Sequence, residues 1–155
     1  MRDAENLAFY GKTGRGKIHM ATALRIAATS AGHLVRFWQI AQLVLQLGEA
    51  KREGTLDRLL ADAAKARLLV LDEFSYVPFD VDGARLLYQV ISNSHERRNV
   101  IFTTNVEFSR WGTVFADDKL APAIVERVVH HGRLVEFGGP SHRLEEPLMP
   151  GKSGR

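Results

Sequence analysis

The eight residues Gly11-Lys12-Thr13-Gly14-Arg15-Gly16-Lys17-Ile18 constrain this chain more than any others. They follow a short apolar run, Asn6-Leu7-Ala8-Phe9-Tyr10, which reads as a strand. They precede an alanine-rich stretch, His19 to Ala28, which is helix-compatible. Glycines between a strand and a helix let the backbone curl with its N–H groups pointing inward, and the helix N-terminus adds a partial positive charge. The spacing fits the phosphate-loop pattern G-x-x-x-x-G-K-[ST] at every required position except the last. Gly11, Gly14, Arg15, Gly16 and Lys17, with Ile18 and His19 of the helix start, are therefore candidates to hold a nucleotide, Lys17 reaching its β- and γ-phosphates. Ile18 is the flaw. A Ser or Thr hydroxyl normally sits on Mg²⁺ at that position, and isoleucine has no lone pair to offer.

Downstream of the loop, strand patterns alternate with helix patterns. Leu34 to Trp38 is rich in β-branched and aromatic residues and predicts a second strand. Apolar residues at 40, 43, 44 and 47, then at 56, 59, 60 and 63, predict two helices, the first closed by the polar stretch Glu49 to Gly54 and the second running to Ala66. Leu68-Leu69-Val70-Leu71 is an unbroken apolar run, the mark of a strand buried on both faces of a parallel sheet. Asp82 is placed to cap a helix from Gly83 to Glu96. Asn99 to Asn105 predicts a fourth strand, Leu120 to Val129 a further helix, and Arg133 to Phe137 a fifth strand. Such alternation means βαβ units and a three-layer α/β sandwich with a parallel sheet. The 155 residues make one domain, with the proline- and glycine-rich tail Pro147 to Arg155 expected to be disordered.

Composition narrows the setting. With no cysteine there is neither a disulfide framework nor a thiolate metal site. No apolar run approaches the roughly 20 residues of a membrane span, and no signal-peptide stretch opens the chain. A cytoplasmic location without membrane association is the default expectation. The formal net charge of +3 permits an anionic partner without requiring one.

Ligands of parallel sheets bind outside the carboxyl ends of the strands. The glycine loop, Asp72-Glu73 and Asn105 all fall at strand ends of that polarity. Carboxylates closing an apolar strand are costly without a partner. Asp72 is a candidate to hold Mg²⁺ through water, and Glu73 to polarise an attacking water. Asn105 could orient that water or touch the γ-phosphate, since phosphoryl transfer needs positioned polar groups. Arg127 could serve a neighbouring subunit's nucleotide, although the residue alone favours a solvated helix arginine paired with an acid a turn away. His130-His131 do not share a helix face, and no metal site is expected there. Arg97-Arg98 read as a helix-terminal pair favoured by the dipole, with DNA contact open.

In order, Gly11 to Lys17, Leu69 to Tyr76, Thr103-Thr104-Asn105, Trp111-Gly112, Glu126 to His131 and Gly139 to Leu144 make up a known pattern. From Asn6 to Leu144 the chain resembles the IstB family of insertion-sequence helper ATPases, relatives of the DnaC-type helicase loaders in the AAA+ class. The resemblance implies a P-loop NTPase core over residues 1–146, with strand order 5-1-4-3-2. It also implies ATP and Mg²⁺ as cofactors, and an oligomer that associates with double-stranded DNA and a transposase. Lys17 would be the Walker A lysine, Asp72 and Glu73 the Walker B pair, Asn105 sensor I, Arg127 the trans-acting arginine and Arg143 a sensor-II-type residue. Three departures accompany it: Ile18 at the Mg²⁺-ligand position, Lys12 where the family usually has proline, and a start almost at the first strand, without the helical region that precedes it in full-length relatives. They leave open a non-hydrolysing nucleotide-binding or interaction module, as a truncated or decayed copy would be, and a helicase-loader relative. A small-molecule P-loop kinase would need an arginine-rich lid and an acceptor pocket, and the sequence offers neither.

Overall fold

The computed structural model describes residues 4–12, 16–74, 80–94, 97–111, 119–130 and 132–138. Five strands form one parallel sheet: β1 (Asn6–Gly11), β2 (Val35–Gln39), β3 (Leu68–Phe74), β4 (Asn99–Thr104) and β5 (Gly132–Phe137). Their order is β2-β3-β4-β1-β5, the expected order read from the other edge. The connecting helices are α1 (Lys17–Ser30), α2 (Ile40–Glu53), α3 (Leu56–Ala64), α4 (Val81–Ser94) and α5 (Leu120–Val125).

The alternation of side chains along each strand sorts these helices onto two faces. Phe9, Val70 and Ile101 pack with Ala21 and Ala28 of α1. Their neighbours Ala8, Leu69, Leu71, Val100 and Phe102 pack with Ile40, Leu43, Leu87, Val90 and Ile124 from α2, α4 and α5. Leu68 to Leu71 lie within the core as the apolar run requires. Gly11 has a steric reason to be glycine. A Cβ there would overlap the Phe137 carbonyl and come within 2.9 Å of the Phe137 Cβ, so β5 lies close against the start of the loop. Among the described residues no helix is long and apolar enough to cross a membrane.

Two expectations need correction. The cap of α4 is Asp80, not Asp82: the Gly83 N–H donates to Asp80 Oδ1 at 2.6 Å, and the Ala84 N–H to the Asp80 carbonyl at 2.9 Å. Asp82 sits inside the first turn, where it only favours the dipole. The last helix does not run regularly from Leu120 to Val129. After Val125 it widens into a π-helical turn, Glu126–His130. There the Arg127 carbonyl accepts a hydrogen bond from Asn6 Nδ2 at 2.7 Å, so β1 holds the turn from outside the helix.

Arg98 follows the structural reading of the Arg97-Arg98 pair: it is 8% exposed, which leaves its guanidinium little surface to offer DNA. Its Nη1 donates to Ser94 Oγ at 2.9 Å and its Nη2 to the Ala64 carbonyl at 3.2 Å, which joins the C-terminal ends of α3 and α4. Burial, then the charge of Arg97, holds its pKa below the ordinary arginine value.

Candidate nucleotide-binding site

Gly16 begins α1 in the left-handed region, at φ 94° and ψ 8°, where an L side chain is strained. The helix has no side-chain cap at this end and no acid in its first turn. No carboxylate of the first turn offsets the positive end of the helix dipole, which favours an anion at this end. Lys17 starts the helix and folds back along the loop. Its Nζ donates to the Gly11 carbonyl and, at 2.9 Å, to the Lys12 carbonyl. These contacts hold the ammonium beside the end of β1. Ile18 is 37% exposed in the same turn, and His19 is exposed beside it. Gly14 and Arg15 lie outside the described residues.

Sheet order does the assembling. β4 lies between β3 and β1, so the acids among the last residues of β3, Asn105 after β4 and the loop after β1 stand side by side on one carboxyl edge. Adjacent strands are about 4.8 Å apart, which puts the acids within roughly 10 Å of the loop along that edge. Asp72 is half-buried and accepts a hydrogen bond from Thr103 Oγ1. Burial raises its carboxyl above the usual range; the Thr103 hydrogen bond opposes this, Glu73 adds to it, and the charge of Lys17 pulls it down. Asp72 thus feels both Glu73 and the loop lysine.

Glu73 has φ 67°, the one described non-glycine residue with positive φ. The register with β4 slips here, from Leu71 opposite Phe102 to Phe74 opposite Thr104. Three residues of β3 therefore advance against two of β4, which is a β-bulge. In a regular strand Asp72 and Glu73 would point to opposite faces; the bulge breaks that alternation at the two acids. The Glu73 N–H donates to Thr103 Oγ1 at 2.9 Å, and its carboxylate accepts from Gln39 Nε2 at the end of β2.

Asn105 is exposed between two buried residues. The Val106 N–H donates to Thr104 Oγ1 at 3.0 Å, and buried Trp111 donates through Nε1 to the Val106 carbonyl at 3.1 Å. This anchorage fixes where the chain leaves β4, and with it the position of Asn105.

One candidate is not brought to the edge. Arg127 lies in the π-helical turn, beside Asn6 at the opposite end of β1. Five residues of strand, roughly 16 Å, separate Asn6 from Gly11. Its Nε is buried with no hydrogen-bond partner among the described residues. Arg143 lies outside the described residues, as does His131. No group of three or more His, Cys, Asp or Glu suited to a metal occurs among the described residues.

Gln39 and Thr103 are the polar contacts of the acids that residue-by-residue reading misses. Gln39 carries no motif. Thr103 stands in the Thr-Thr-Asn strand end, where only the sheet register shows that it meets both acids.

A parallel α/β sheet with a glycine loop, its lysine and paired acids along one carboxyl edge defines a P-loop NTPase fold of the AAA+ type. Residues 1–149 match the family model described as IstB-like ATP binding protein, and the chain belongs to that family. It is 38% identical over 148 residues to the insertion sequence IS21 relative from Pseudomonas aeruginosa, covering 96% of this chain and 56% of that protein. With the IS232 relative from Bacillus thuringiensis subsp. berliner it shares 39% over 146 residues, covering 94% and 58%. Both relatives are named as ATP-binding proteins. The chain spans less than two thirds of the length of either. Among solved structures it is similar in fold to the DnaC helicase loader, with a TM-score of 0.74, 21% identity, and coverage of 86% of this chain and 78% of that one. It is also similar to AMPPCP-bound DnaA from Aquifex aeolicus, with a TM-score of 0.74, 18% identity and coverage of 90% and 43%.

Proposed function

We propose that this chain binds ATP with Mg²⁺ and serves as the nucleotide-responsive core of an insertion-sequence helper that works with DNA and a transposase. The observation that carries this reading is the convergence of Lys17, the start of α1, Asp72, Glu73 and Asn105 on one sheet edge. The residues present fit a nucleotide triphosphate: N–H groups and an ammonium for the phosphates, and a carboxylate for a cation. Mg²⁺ would supply charge neutralisation across the phosphate oxygens. Lys17 and the α1 N–H groups would orient the phosphates, Asp72 would hold the cation through water, and Glu73 and Asn105 would position a water.

Gln39 Nε2 bonds one oxygen of the Glu73 carboxylate, which orients the group and leaves the other oxygen to direct a water. Arg127 lies far from its own loop, which supports a role toward a neighbouring subunit's nucleotide, and a homo-oligomer belongs to this reading. If Arg127 does act in trans, hydrolysis rises more steeply than linearly with protein concentration and collapses in Arg127→Ala, since such arginines contribute about 10³–10⁵ in rate.

A second reading, a module that binds nucleotide without turning it over, is favoured by Ile18. The hydroxyl that would bind the cation directly is missing, and loss of even an outer partner typically costs about 10- to 100-fold in affinity or activity. ATP binding and hydrolysis measured on one sample, with and without Mg²⁺ and double-stranded DNA, test both readings. Slow or absent turnover with ATP bound, restored by Ile18→Thr, is the expected result. Absence of ATP binding under every condition would overturn both.

A further inference from the structure

Thr103 is buried, 2% exposed, yet its hydroxyl is fully engaged with two groups of the neighbouring strand. A hydroxyl has one proton to give and lone pairs to accept with. The Glu73 N–H can only donate, so Thr103 Oγ1 accepts from it, at 2.9 Å. The hydroxyl proton is then left for Asp72 Oδ1, which accepts it. One side chain on β4 thus ties the carboxylate of one acid and the backbone of the next.

From these contacts we propose that Thr103 is the positioning residue of the cation site, holding the Asp72 carboxylate and the Glu73 bulge in the arrangement that binds Mg²⁺ with nucleotide. The inference rests on the nucleotide-site reading above and assigns a role to a residue that touches neither phosphate nor cation.

Two physical needs meet at this hydroxyl. A bulge leaves an extra residue outside the ladder, so its N–H loses its regular strand partner. Glu73 also holds a left-handed backbone conformation that a side chain disfavours. The hydrogen bond from its N–H offsets both costs and keeps the chain bulged at that point. At Asp72 the same hydroxyl fixes one carboxylate oxygen. The carboxylate is thereby oriented while keeping acceptor capacity for a hydrated cation. Partners that orient a metal ligand are commonly worth about 10- to 100-fold in metal affinity or activity. Valine at this position has nearly the shape of threonine and would fill the space, but could do neither job.

The test compares ATP dissociation constants in Mg²⁺ and in EDTA for the wild type, Thr103→Val, Thr103→Ser and Thr103→Ala. The ratio of the two constants isolates the cation's contribution from that of the loop. In the wild type, Mg²⁺ is expected to tighten binding. Thr103→Val should bind as the wild type does in EDTA, within about two-fold, and lose about 10- to 100-fold of the Mg²⁺ enhancement. Thr103→Ser keeps the hydroxyl and should retain the enhancement. If the valine variant does not fold, serine against alanine makes the same comparison, since both lack the methyl group and only one keeps the hydroxyl. An enhancement equal in all variants, or a loss shared equally between Mg²⁺ and EDTA, would overturn the assignment. A wild type that binds ATP in EDTA with no Mg²⁺ enhancement would remove the cation site, and Thr103's role with it, while leaving the loop's role intact. A wild type that binds no ATP at all would overturn the nucleotide reading itself.

Discussion

Arg98→Ala should destabilise the fold without touching nucleotide affinity, and its size follows from three contacts. Nη1 to Ser94 Oγ at 2.9 Å and Nη2 to the Ala64 carbonyl at 3.2 Å are good bonds; the third, Nη1 to the Asn93 carbonyl at 3.4 Å, is too long to count for much. Hydrogen bonds from a charged donor contribute about 1.5–3 kcal/mol each. Against them stands the cost of burying a guanidinium, which also holds its pKa down. Setting one against the other leaves a loss of about 2–4 kcal/mol on truncation, with the Ala64 carbonyl stripped of its donor. For a chain of this size each kcal/mol lowers Tm by about 2–4 °C, so a fall of roughly 5–15 °C is expected. Circular dichroism melts and urea titrations read it directly. Arg98→Met, which keeps an aliphatic stem against the same surface, should fall less. Arg98 leads into β4 at the amino end of the sheet, away from the loop, so the ATP dissociation constant should not move. A Tm within about 2 °C of wild type would refute the clamp. So would a loss of ATP affinity without loss of stability.

The other expected outcomes concern the helix starts and the acids. Asp80→Ala should cost about 0.5–2 kcal/mol by urea titration, while Asp82→Ala stays within about 0.5 kcal/mol, because only Asp80 caps α4. Gly16→Ala should cost about 1–2 kcal/mol from its positive φ and weaken ATP binding in the same titration series. Burial holds the Asp72 carboxyl above its ordinary value of 3.8, so the folded state binds this proton more tightly than the unfolded state does. Stability from this group is then complete below 3.8 and is lost as pH rises through the raised folded value. Asp72→Asn removes the charge yet leaves an acceptor for Thr103. It should melt above wild type at pH 7, the gap closing in melts taken below pH 3.8, while the Mg²⁺ enhancement of ATP binding disappears.

Local rules carried much of the fold. The apolar run Leu68 to Leu71 and the strand-loop-helix pattern at Gly11 both report burial and backbone needs that adjacent residues settle between themselves. The same is true of the edge shared by Lys17, Asp72 and Asn105, because parallel strands with helical crossovers bring their carboxyl ends to one side. The features that escaped the sequence depend on partners distant along the chain. Arg98 is buried because the Ala64 carbonyl, 34 residues away, accepts from it. Choosing Asp80 over Asp82 as the cap required knowing where α4 begins, a boundary that two neighbouring acids blur. The π-helical turn at Arg127 coincides with a hydrogen bond from Asn6, 121 residues away, and nothing in Glu126 to His130 announces it. The bulge at Glu73 depends on a hydroxyl from another strand. Composition and periodicity contain no term for such a contact.

The loop lysine gives the most direct test of the nucleotide site. Lys17 Nζ now bonds the Gly11 and Lys12 carbonyls, contacts that a phosphate oxygen would replace or share. ATP binding to the wild type and to Lys17→Ala, measured by calorimetry in Mg²⁺, isolates one charge-assisted contact worth about 1.5–3 kcal/mol. The expected result is a dissociation constant raised about 10- to 100-fold in a variant that still melts as a folded protein. An unchanged constant would contradict the assignment of this loop as the phosphate site.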